Sequence, residues 1–523
     1  MLADPTSPTS IVPPSGMALY IHVPFCKTKC PYCDFNTYQG IERMMDPYMG
    51  AVTQEITQWG RVLEGAAVNS VFFGGGTPSY LNEGSIDRIL ESARSSFQLK
   101  DGAEITIEAN PGDLDLPACQ RLINAGVNRL SIGVQSLDNE LLSLLGRRHN
   151  ADQAMAALAT ARSGGFSNIN LDFMYGLPHQ TMPQWQDTMQ RMVSQHPDHI
   201  SLYCLTLEEG TPLHRWVETG KLPQADQDLA ADMYHYAADL MEQEGYQHYE
   251  ISNWCLPGFE CRHNLCYWLN QPYLGVGPGA HSSLGSYRFW DISSPGTYIT
   301  SVNDWATKNP QPAIGLTEEV LNSVLPVDHQ EHIDEDTFLA ETMFLGLRLL
   351  EGMDLAEVSA QVGIDLGERY RSEIRDLTEL GLLEREGPLL RLTKPAHLIA
   401  NQVFTRFVGG VWSMVLPHCE SAHIPQTKLT GYLLSETHPV GRFKARLLLA
   451  GGYDTANAQI LEQGLIDIAR EEEVTETIST SYGTMYVIDG TLQTPRGTGL
   501  QMRTVWIIAS GESRPQLVTA YPT

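Results

Sequence analysis

Residues 19–38 read LYIHVPFCKTKCPYCDFNTY. A β-rich run, Met17–Val23, leads directly into Cys26, Cys30 and Cys33 in a CxxxCxxC spacing. Three thiolates within eight residues, on a loop free to curl, suit three corners of an iron–sulfur cube and leave the fourth iron without a protein thiolate. Such an open metal position is what a substrate or cofactor needs. Structural zinc normally takes four N or S ligands, and the nearest further candidates, His22 and Asp34, sit awkwardly for a tetrahedral site. The spacing favours a [4Fe-4S] cluster on Cys26, Cys30 and Cys33.

Further along the chain, strand-like runs recur at Asn69–Phe73, Glu104–Glu108, Arg129–Gly133, Asn168–Tyr175 and His199–Leu205. Stretches of helical period lie between them, among them Met45–Leu63, Glu83–Ser95, Pro117–Ala125, Asp138–Leu145 and Ala151–Ser163. Strand, turn and helix repeated in this way imply parallel strands joined by βαβ crossovers. Six or more such units fit an α/β fold built on an open or closed (β/α) barrel over residues 17–280, with a doubly wound sheet as the rival. In either architecture ligands bind where strands end, and turn signals cluster there: GGGTPS at Gly74–Ser79, NPG at Asn110–Gly112 and GLP at Gly176–Pro178.

The 523 residues carry 34 Lys+Arg against 62 Asp+Glu, a formal charge of −28. That balance argues against any broad grip on nucleic acid or anionic membrane, which requires clustered cations. No apolar run approaches the roughly 20 residues of a membrane span. Residues 1–16 are Pro/Ser-rich, lack the basic and apolar regions of a signal peptide, and read as a flexible lead-in. The expected location is the cytoplasm, where a spaced cysteine cluster holds metal or does chemistry more often than it forms disulfides. Cys119, Cys204, Cys255 and Cys419 show no ligand spacing and read as small buried hydrophobes. The Met-rich MDPYM at residues 45–49 reads as core or surface helix.

After Gly279 the pattern changes. Residues 281–317 read as a loop-rich connection and 318–408 as a helical module. Its ending GLLEREGPLLRLT, a helix followed by a hairpin and a strand, suggests a winged-helix-like unit, equally readable as a helical cap on the barrel. Residues 416–523 read as an appended α+β domain resembling small bacterial proteins of unknown function. Its amphipathic stretch Ala456–Arg470 precedes strand-like runs at Tyr482–Asp489, Met502–Ala509 and Gln516–Tyr521. His438, Lys444 and Arg446 in this domain form no acid–base constellation at a readable spacing.

Polar residues at the strand ends make chemical sense as a ligand site. Gly74–Gly75–Gly76–Thr77 lets backbone approach a ligand and offer it amides or carbonyls, although it fails as a GxGxxG dinucleotide fingerprint. Glu108 can accept hydrogen bonds from ribose hydroxyls or an ammonium group. Gln135, Arg147 or Arg148, and Asp172 complete a polar ring.

CxxxCxxC after the first barrel strand resembles the signature of the radical S-adenosylmethionine (SAM) superfamily. More narrowly, YIHVPFC, FFGGGTPS, IEANP, GVQS and DFMYGLP resemble the family containing oxygen-independent coproporphyrinogen III dehydrogenase (HemN) and the HemW haem chaperones, over about residues 17–408. The resemblance implies that the open iron chelates the amino and carboxylate groups of SAM, and that an electron from the cluster cleaves it to a 5′-deoxyadenosyl radical. It places Tyr20, Gly75, Gly76, Thr77, Glu108, Gln135, Arg147 and Asp172 at SAM-contacting positions, with Arg147 preferred over Arg148 on its spacing from Gln135.

Dehydrogenase-type members carry a further cysteine two residues after the third ligand, where this chain has Phe35. The departure points to the chaperone branch. CRHNLCYW at Cys261–Trp268 matches an HNxxYW motif associated with haem in that branch, with His263 offered to iron, Tyr267 and Trp268 as flat faces, Arg262 for a propionate, and Cys261 or Cys266 as thiolate alternatives. The expectation is a haem-trafficking protein with cluster, SAM and haem, no classical turnover, and haem-requiring acceptor proteins, plausibly respiratory, as partners. Cluster-dependent homo-oligomerisation is compatible with it. The rival is a radical enzyme acting on a tetrapyrrole, either by oxidative decarboxylation of coproporphyrinogen III or by methyl transfer.

Overall fold

A computed structural model describes residues 16–408 apart from 325, and 416–522 apart from 426–427, 436–444, 446–447, 450, 473, 481–482, 498 and 510–513. The lead-in up to residue 15, and His438, Lys444 and Arg446, lie outside the described residues. Two compact units divide the chain near residue 408.

In the first unit, β1 (Met17–Val23), β2 (Ala67–Gly75), β3 (Gln98–Ala109), β4 (Arg129–Gln135), β5 (Ile169–Tyr175) and β6 (His199–Cys204) lie side by side in chain order, all parallel. A doubly wound sheet would reverse its strand order partway across; this one does not. β7 (Gln247–Glu250) and β8 (Asn253–Cys255) extend the sheet beyond β6, and β9 (Tyr273–Val276), β10 (His281–Leu284), β11 (Tyr287–Asp291) and β12 (Val327–His332) extend it beyond β1. Strands β7 and β12 form its two edges, so the barrel stays open.

Strand alternation sorts side chains between two layers. In β1, Met17, Leu19, Ile21 and Val23 are fully buried against helix α1 (Met45–Val62), which contributes Tyr48, Met49, Val52, Ile56 and Trp59 to the same core. Met45 and Met49 of the MDPYM segment are thus core residues. The alternate residues face the concave side and are unusually polar: Glu104 and Thr106 on β3, Arg129 and Ser131 on β4, Asn170 on β5, His199 and Ser201 on β6. Several of these groups satisfy one another, although Thr106 Oγ1 and Arg129 Nε have no hydrogen-bond partner among the described residues. Asn170 donates to Ser131 and Asp172, both at 2.8 Å, and accepts from Ser201 at 3.1 Å. His199 Nδ1 lies 2.7 Å from Asn170 Oδ1, and its Nε2 lies 2.8 Å from the Tyr249 hydroxyl.

The stretch 281–317, expected to be loop-rich, instead carries β10, β11 and helix α2 (Pro295–Lys308). Its Ser, Pro, Gly and Asn content imitates a loop. Pro295, however, occupies the first helical turn, where its missing N–H costs nothing, and Tyr298, Ile299, Val302 and Trp305 form a buried stripe. Trp305 meets Trp59 edge-on at 5.8 Å between ring centroids.

Helix α3 (Glu335–Gly346) opens a small module of helices and a three-stranded sheet. The sheet is ordered β13 (Met353–Asp354), β15 (Leu389–Leu392), β14 (Leu383–Glu386), a winged-helix arrangement whose wing turns at Gly387 and Pro388. The second unit holds a four-stranded antiparallel sheet, β16 (Val474–Thr480) to β19 (Gln516–Pro522), and a helix, Ala458–Glu471, whose Leu461, Leu465 and Ile468 share a core with Ile488, Leu492 and Trp506.

Candidate cluster and cofactor site

The loop carrying the three cysteines is pinned at both ends. The Cys26 amide donates to the Tyr38 carbonyl at 2.9 Å and the Tyr38 amide to Pro24 at 2.8 Å, closing its base. Lys29 Nζ crosses it to the carbonyls of Phe35 and Thr37, at 3.0 and 3.1 Å. Asn36 Nδ2 ties it to the carbonyls of Pro278 and Ser293, at 2.8 and 2.9 Å. His22 Nε2 lies 2.9 Å from the Asn36 carbonyl, which can only accept, so Nε2 carries the proton and Nδ1 accepts from the Tyr20 hydroxyl at 3.1 Å.

The turn after β2 presses against this loop. A Cβ on Gly76 would stand 2.6 Å from the Phe25 carbonyl oxygen, and one on Gly75 would stand 2.5 Å from the His22 ring. Gly75 also has φ +103°, so glycine is required there for conformation as well as space. The amides of Gly76 and Thr77 are spent on the carbonyls of Val23 and Phe25, at 2.7 and 2.8 Å, and the Gly75 amide on Glu108. The turn therefore offers a ligand carbonyls, not the amides that its sequence allowed. Thr77 donates to Cys26 Sγ at 3.6 Å.

A cavity of about 540 Å³ opens at the carboxyl ends of the strands, lined by Cys26, Cys30, Cys33, Gly75, Gly76, Thr77, Glu108, Gln135, Arg147 and Asp172. Arg147 binds Asn110 Oδ1, the Gly133 carbonyl at 2.5 Å and Cys30 Sγ at 3.6 Å. Arg148, by contrast, pairs with Asp113 at 3.0 Å. Gln135 ends β4 at a register shift with φ +69°, an uncommon conformation for a side-chain-bearing residue and one that often marks function. Burial and the neighbouring Asp172 carboxylate push the Glu108 carboxyl up to about 8. Burial also raises Asp172, against the hydrogen bonds it accepts from Asn170 and Ser131.

Burial raises the Cys26 and Cys33 thiols, while hydroxyls of Thr77 and Thr37 pull the other way. A cationic iron would favour their thiolates. Among the described residues, no three His, Cys, Asp or Glu side chains converge on a single point as one metal ion requires. Cluster thiolates bind different irons and have no need to converge. The donor set and its hydroxyl and guanidinium neighbours suit a cube better than a lone zinc.

Two expected site residues stand outside the cavity lining. Tyr20 faces the concave side between Phe72 and His263, with ring centroids 6.3 and 6.5 Å away, and acts on the cysteine loop only through His22. His263, near the start of helix α4 (Arg262–Trp268), is 1% exposed. Its Nδ1 lies 2.9 Å from Ser70 Oγ, its Nε2 lies 2.9 Å from the Tyr267 hydroxyl, and its amide donates to Glu104 at 3.1 Å. Burial holds its ring down at about 3. Tyr267 packs edge-on to Tyr273, Arg348 covers Trp268 at 4.2 Å, and Arg262 donates to the Gly102 carbonyl at 3.1 Å. Cys261 and Cys266 are buried. In this packing both ring nitrogens of His263 are hydrogen-bonded and the rings of Tyr267 and Trp268 lie against neighbouring side chains. The helix plugs the barrel floor.

Asn110, Met174 and Tyr203, not among the expected site residues, also line the cavity. Their positions at the ends of β3, β5 and β6 were the available signal. Cys119 and Cys255 are buried as expected, but Cys204 is exposed at the cavity and Cys419 is half-buried. Cys204 ends β6, where the strand leaves the core.

Comparison with known proteins agrees with this geometry. Residues 20–192 match the radical SAM superfamily, 333–399 the HemN C-terminal domain, and 415–523 a domain of unknown function (DUF6883). The chain is 34% identical over 401 residues to "Heme chaperone HemW" of Mycobacterium tuberculosis, covering 76% of this chain and 96% of that one. It is 33% identical to the protein of the same name from Bacillus subtilis, covering 75% and 98%. Among solved structures, coproporphyrinogen III oxidase (HemN) from Escherichia coli shares the fold, with a TM-score of 0.65 at 23% identity over 76% of this chain and 91% of that one. With a cysteine loop, glycine turn and polar strand ends gathered at one cavity, and relatives matched along nearly their whole length, this chain belongs to the HemW family of the radical SAM superfamily.

Proposed function

We propose that this protein is a haem chaperone that holds a [4Fe-4S] cluster on Cys26, Cys30 and Cys33, binds SAM in the adjoining cavity, and passes haem to acceptor proteins. One observation carries the reading: the three cysteines share a cavity with Gly75, Gly76, Thr77, Glu108, Gln135, Arg147 and Asp172, in a chain whose relatives carry the name haem chaperone. When bound, the cluster supplies an open iron for the amino and carboxylate groups of SAM. The chain's own residues do the rest of the holding. The carbonyls of the glycine turn and the carboxyl groups of Glu108 and Asp172 suit an ammonium and ribose hydroxyls, and Arg147 steadies the Cys30 side of the loop. Tyr20 belongs to this machinery as a support for His22.

Phe35, 63% exposed and part of the cavity lining, stands where dehydrogenase-type members carry a further cysteine, which favours haem handling without classical turnover. Acceptors would be haem-requiring proteins, plausibly respiratory, reached in the cytoplasm, and the cluster can couple binding to self-association. No helix among the described residues is long and apolar enough to cross a membrane. The test is anaerobic cluster reconstitution with SAM and reductant, followed by assays of haem retention, haem transfer to an apocytochrome, and conversion of coproporphyrinogen III. Haem binding and transfer without turnover is the expected result. Substantial formation of protoporphyrinogen IX would instead establish the enzyme reading.

A further inference from the structure

Two carboxyl groups meet in the core behind the cluster loop. Glu55 on α1 and Asp291, the last residue of β11, are 0% and 1% exposed and are hydrogen-bonded to each other. Neither lines the cavity. Acidic side chains are almost never fully buried without a partner, and among the described residues no cation pairs with either of these. The titratable groups facing them are the phenols of Tyr48 on α1 and Tyr298 on α2, and a phenol is neutral.

The hydrogen bonds assign the proton that such a pair must share. Glu55 Oε2 accepts from the Tyr298 hydroxyl at 2.5 Å and the Gly277 amide at 3.0 Å, and Oε1 accepts from the Trp59 indole at 3.3 Å. Three donors on one carboxyl group suit the ionised form. Asp291 Oδ2, by contrast, is buried and meets no N–H or O–H donor. Two oxygens that can only accept do not bond each other, so a proton lies between the carboxyls, and Asp291 carries it. Burial and the Glu55 charge push Asp291 well above the usual carboxyl range, in the same sense.

What the pair holds is the turn between β9 and β10. The Gly277 amide, bonded to Glu55, opens that turn, and the Asp291 amide closes it by donating to the Ala280 carbonyl at 3.0 Å. The Gly279 amide donates to the Ile292 carbonyl at 3.2 Å, so the turn and the end of β11 move as one piece. The cluster loop hangs from this piece, because Asn36 donates to the carbonyls of Pro278 and Ser293. The fit leaves no slack. A Cβ on Gly277 would stand 2.5 Å from the His22 carbonyl oxygen, and one on Gly279 would stand 2.7 Å from Asn36 Nδ2. The Tyr48 hydroxyl donates to the same His22 carbonyl at 2.8 Å. A shift of Gly277 therefore reaches the cysteine loop through both His22 and Asn36.

We propose that Glu55 and Asp291 form a proton-sharing lock that positions the cluster loop, acting through the 277–280 turn and Asn36. The inference rests on the cluster reading above and adds two positioning residues that stand outside the cavity. An apolar pair would fill the same space without the cost of burying a charge. Only a carboxylate, however, gives the Gly277 amide and the Tyr298 hydroxyl an acceptor of fixed direction, and only a protonated neighbour lets that carboxylate sit beside a second acid.

The experiment is anaerobic reconstitution of the full chain with iron and sulfide, followed by iron content and the decay of the visible absorbance in air. It compares wild type, Asp291→Asn, Glu55→Leu, Asn36→Ala and the Glu55→Leu/Asn36→Ala double variant, with circular dichroism reporting folding. Asp291→Asn supplies an N–H where the acid supplied its proton, and is expected to keep wild-type iron content and decay. Glu55→Leu keeps the bulk but removes the acceptor, and both it and Asn36→Ala are expected to lose the cluster roughly tenfold faster or more. Both act through one link, so the double variant should decay no faster than the faster single variant. Decay of Asp291→Asn as fast as that of Glu55→Leu would overturn the shared proton and the lock with it. Wild-type decay in folded Glu55→Leu or in Asn36→Ala, or multiplied rates in the double variant, would overturn the tie to the loop and leave the cluster reading standing. Should Glu55→Leu not fold, Asn36→Ala and Asp291→Asn decide. If the wild-type chain takes up no iron, the cluster reading fails and the inference with it.

Discussion

Arg147 reaches Cys30: one guanidinium nitrogen lies 3.6 Å from the thiol sulfur while the other holds the Gly133 carbonyl at 2.5 Å and the Asn110 side chain. A single side chain thus joins the cluster loop to the ends of β3 and β4. Replacing it by Met removes the guanidinium partner of two part-buried acceptors, at up to about 1–3 kcal/mol each. Arg147→Met is expected to bind less iron on reconstitution and to lose its cluster faster in air, whereas Arg148→Met, which only frees Asp113, retains wild-type iron content. Iron per chain and the decay of the visible absorbance check both.

The glycines of the second turn differ from ordinary loop glycines. Gly75→Ala places a methyl 2.5 Å from His22 at a positive φ, while Gly84→Ala, at φ +80° with nothing within 4 Å, incurs only the backbone strain. Gly75→Ala is expected to reduce stability by more than the roughly 1–3 kcal/mol of strain alone and to impair cluster loading. Gly84→Ala should stay within that strain and load normally. Urea unfolding and iron content separate the two.

Glu108 gives the ligand-free protein a signature in pH. Its carboxyl holds a proton up to about 8 in the folded chain, against 4.5 for an ordinary glutamate. Its contribution to stability is therefore fully present below about 4.5 and is lost as the pH rises towards 8. Glu108→Gln, which keeps the neutral shape, should flatten this decline and be more stable than wild type at pH 8, relative to pH 5. Denaturant midpoints at the two values measure the difference.

His263 acts in the opposite sense. Its ring stays neutral down to about 3 in the folded chain, whereas an unfolded histidine takes up a proton near 6.5. Its contribution is present above about 6.5 and lost as the pH falls towards 3. His263→Ala is expected to destabilise the chain by leaving Ser70 and Tyr267 unpaired, about 1–3 kcal/mol for each group, without altering cluster absorbance. Circular dichroism during urea titration at pH 5 and pH 7 provides the test.

The parallel strands and the cysteine loop were legible because both are local patterns: a β-rich run, a turn and a spacing of three thiols. The strand ends marked Glu108, Gln135, Arg147 and Asp172 for the same reason. What the sequence concealed depends on direction and register. That His263 meets Ser70 depends on how a seven-residue helix seats against β2 and β3. The neighbourhood of His281, Trp290 and His329, register partners across β10, β11 and β12, spans 49 positions of chain and becomes visible only when those strands are aligned. β16, VTETIST, was missed because its Thr and Glu residues look like a linker until the next strand, Gly483–Gln493, pairs with it.

Helix α4 fills the amino-terminal end of the barrel, with His263 and Cys261 held by Ser70 and Glu104. The barrel is consequently a cup and not a tube. The cavity beside the cysteines opens at the carboxyl ends of the strands, so a ligand reaches it from that rim. Any occupant of that rim, a bound partner included, would therefore control what reaches the cysteines.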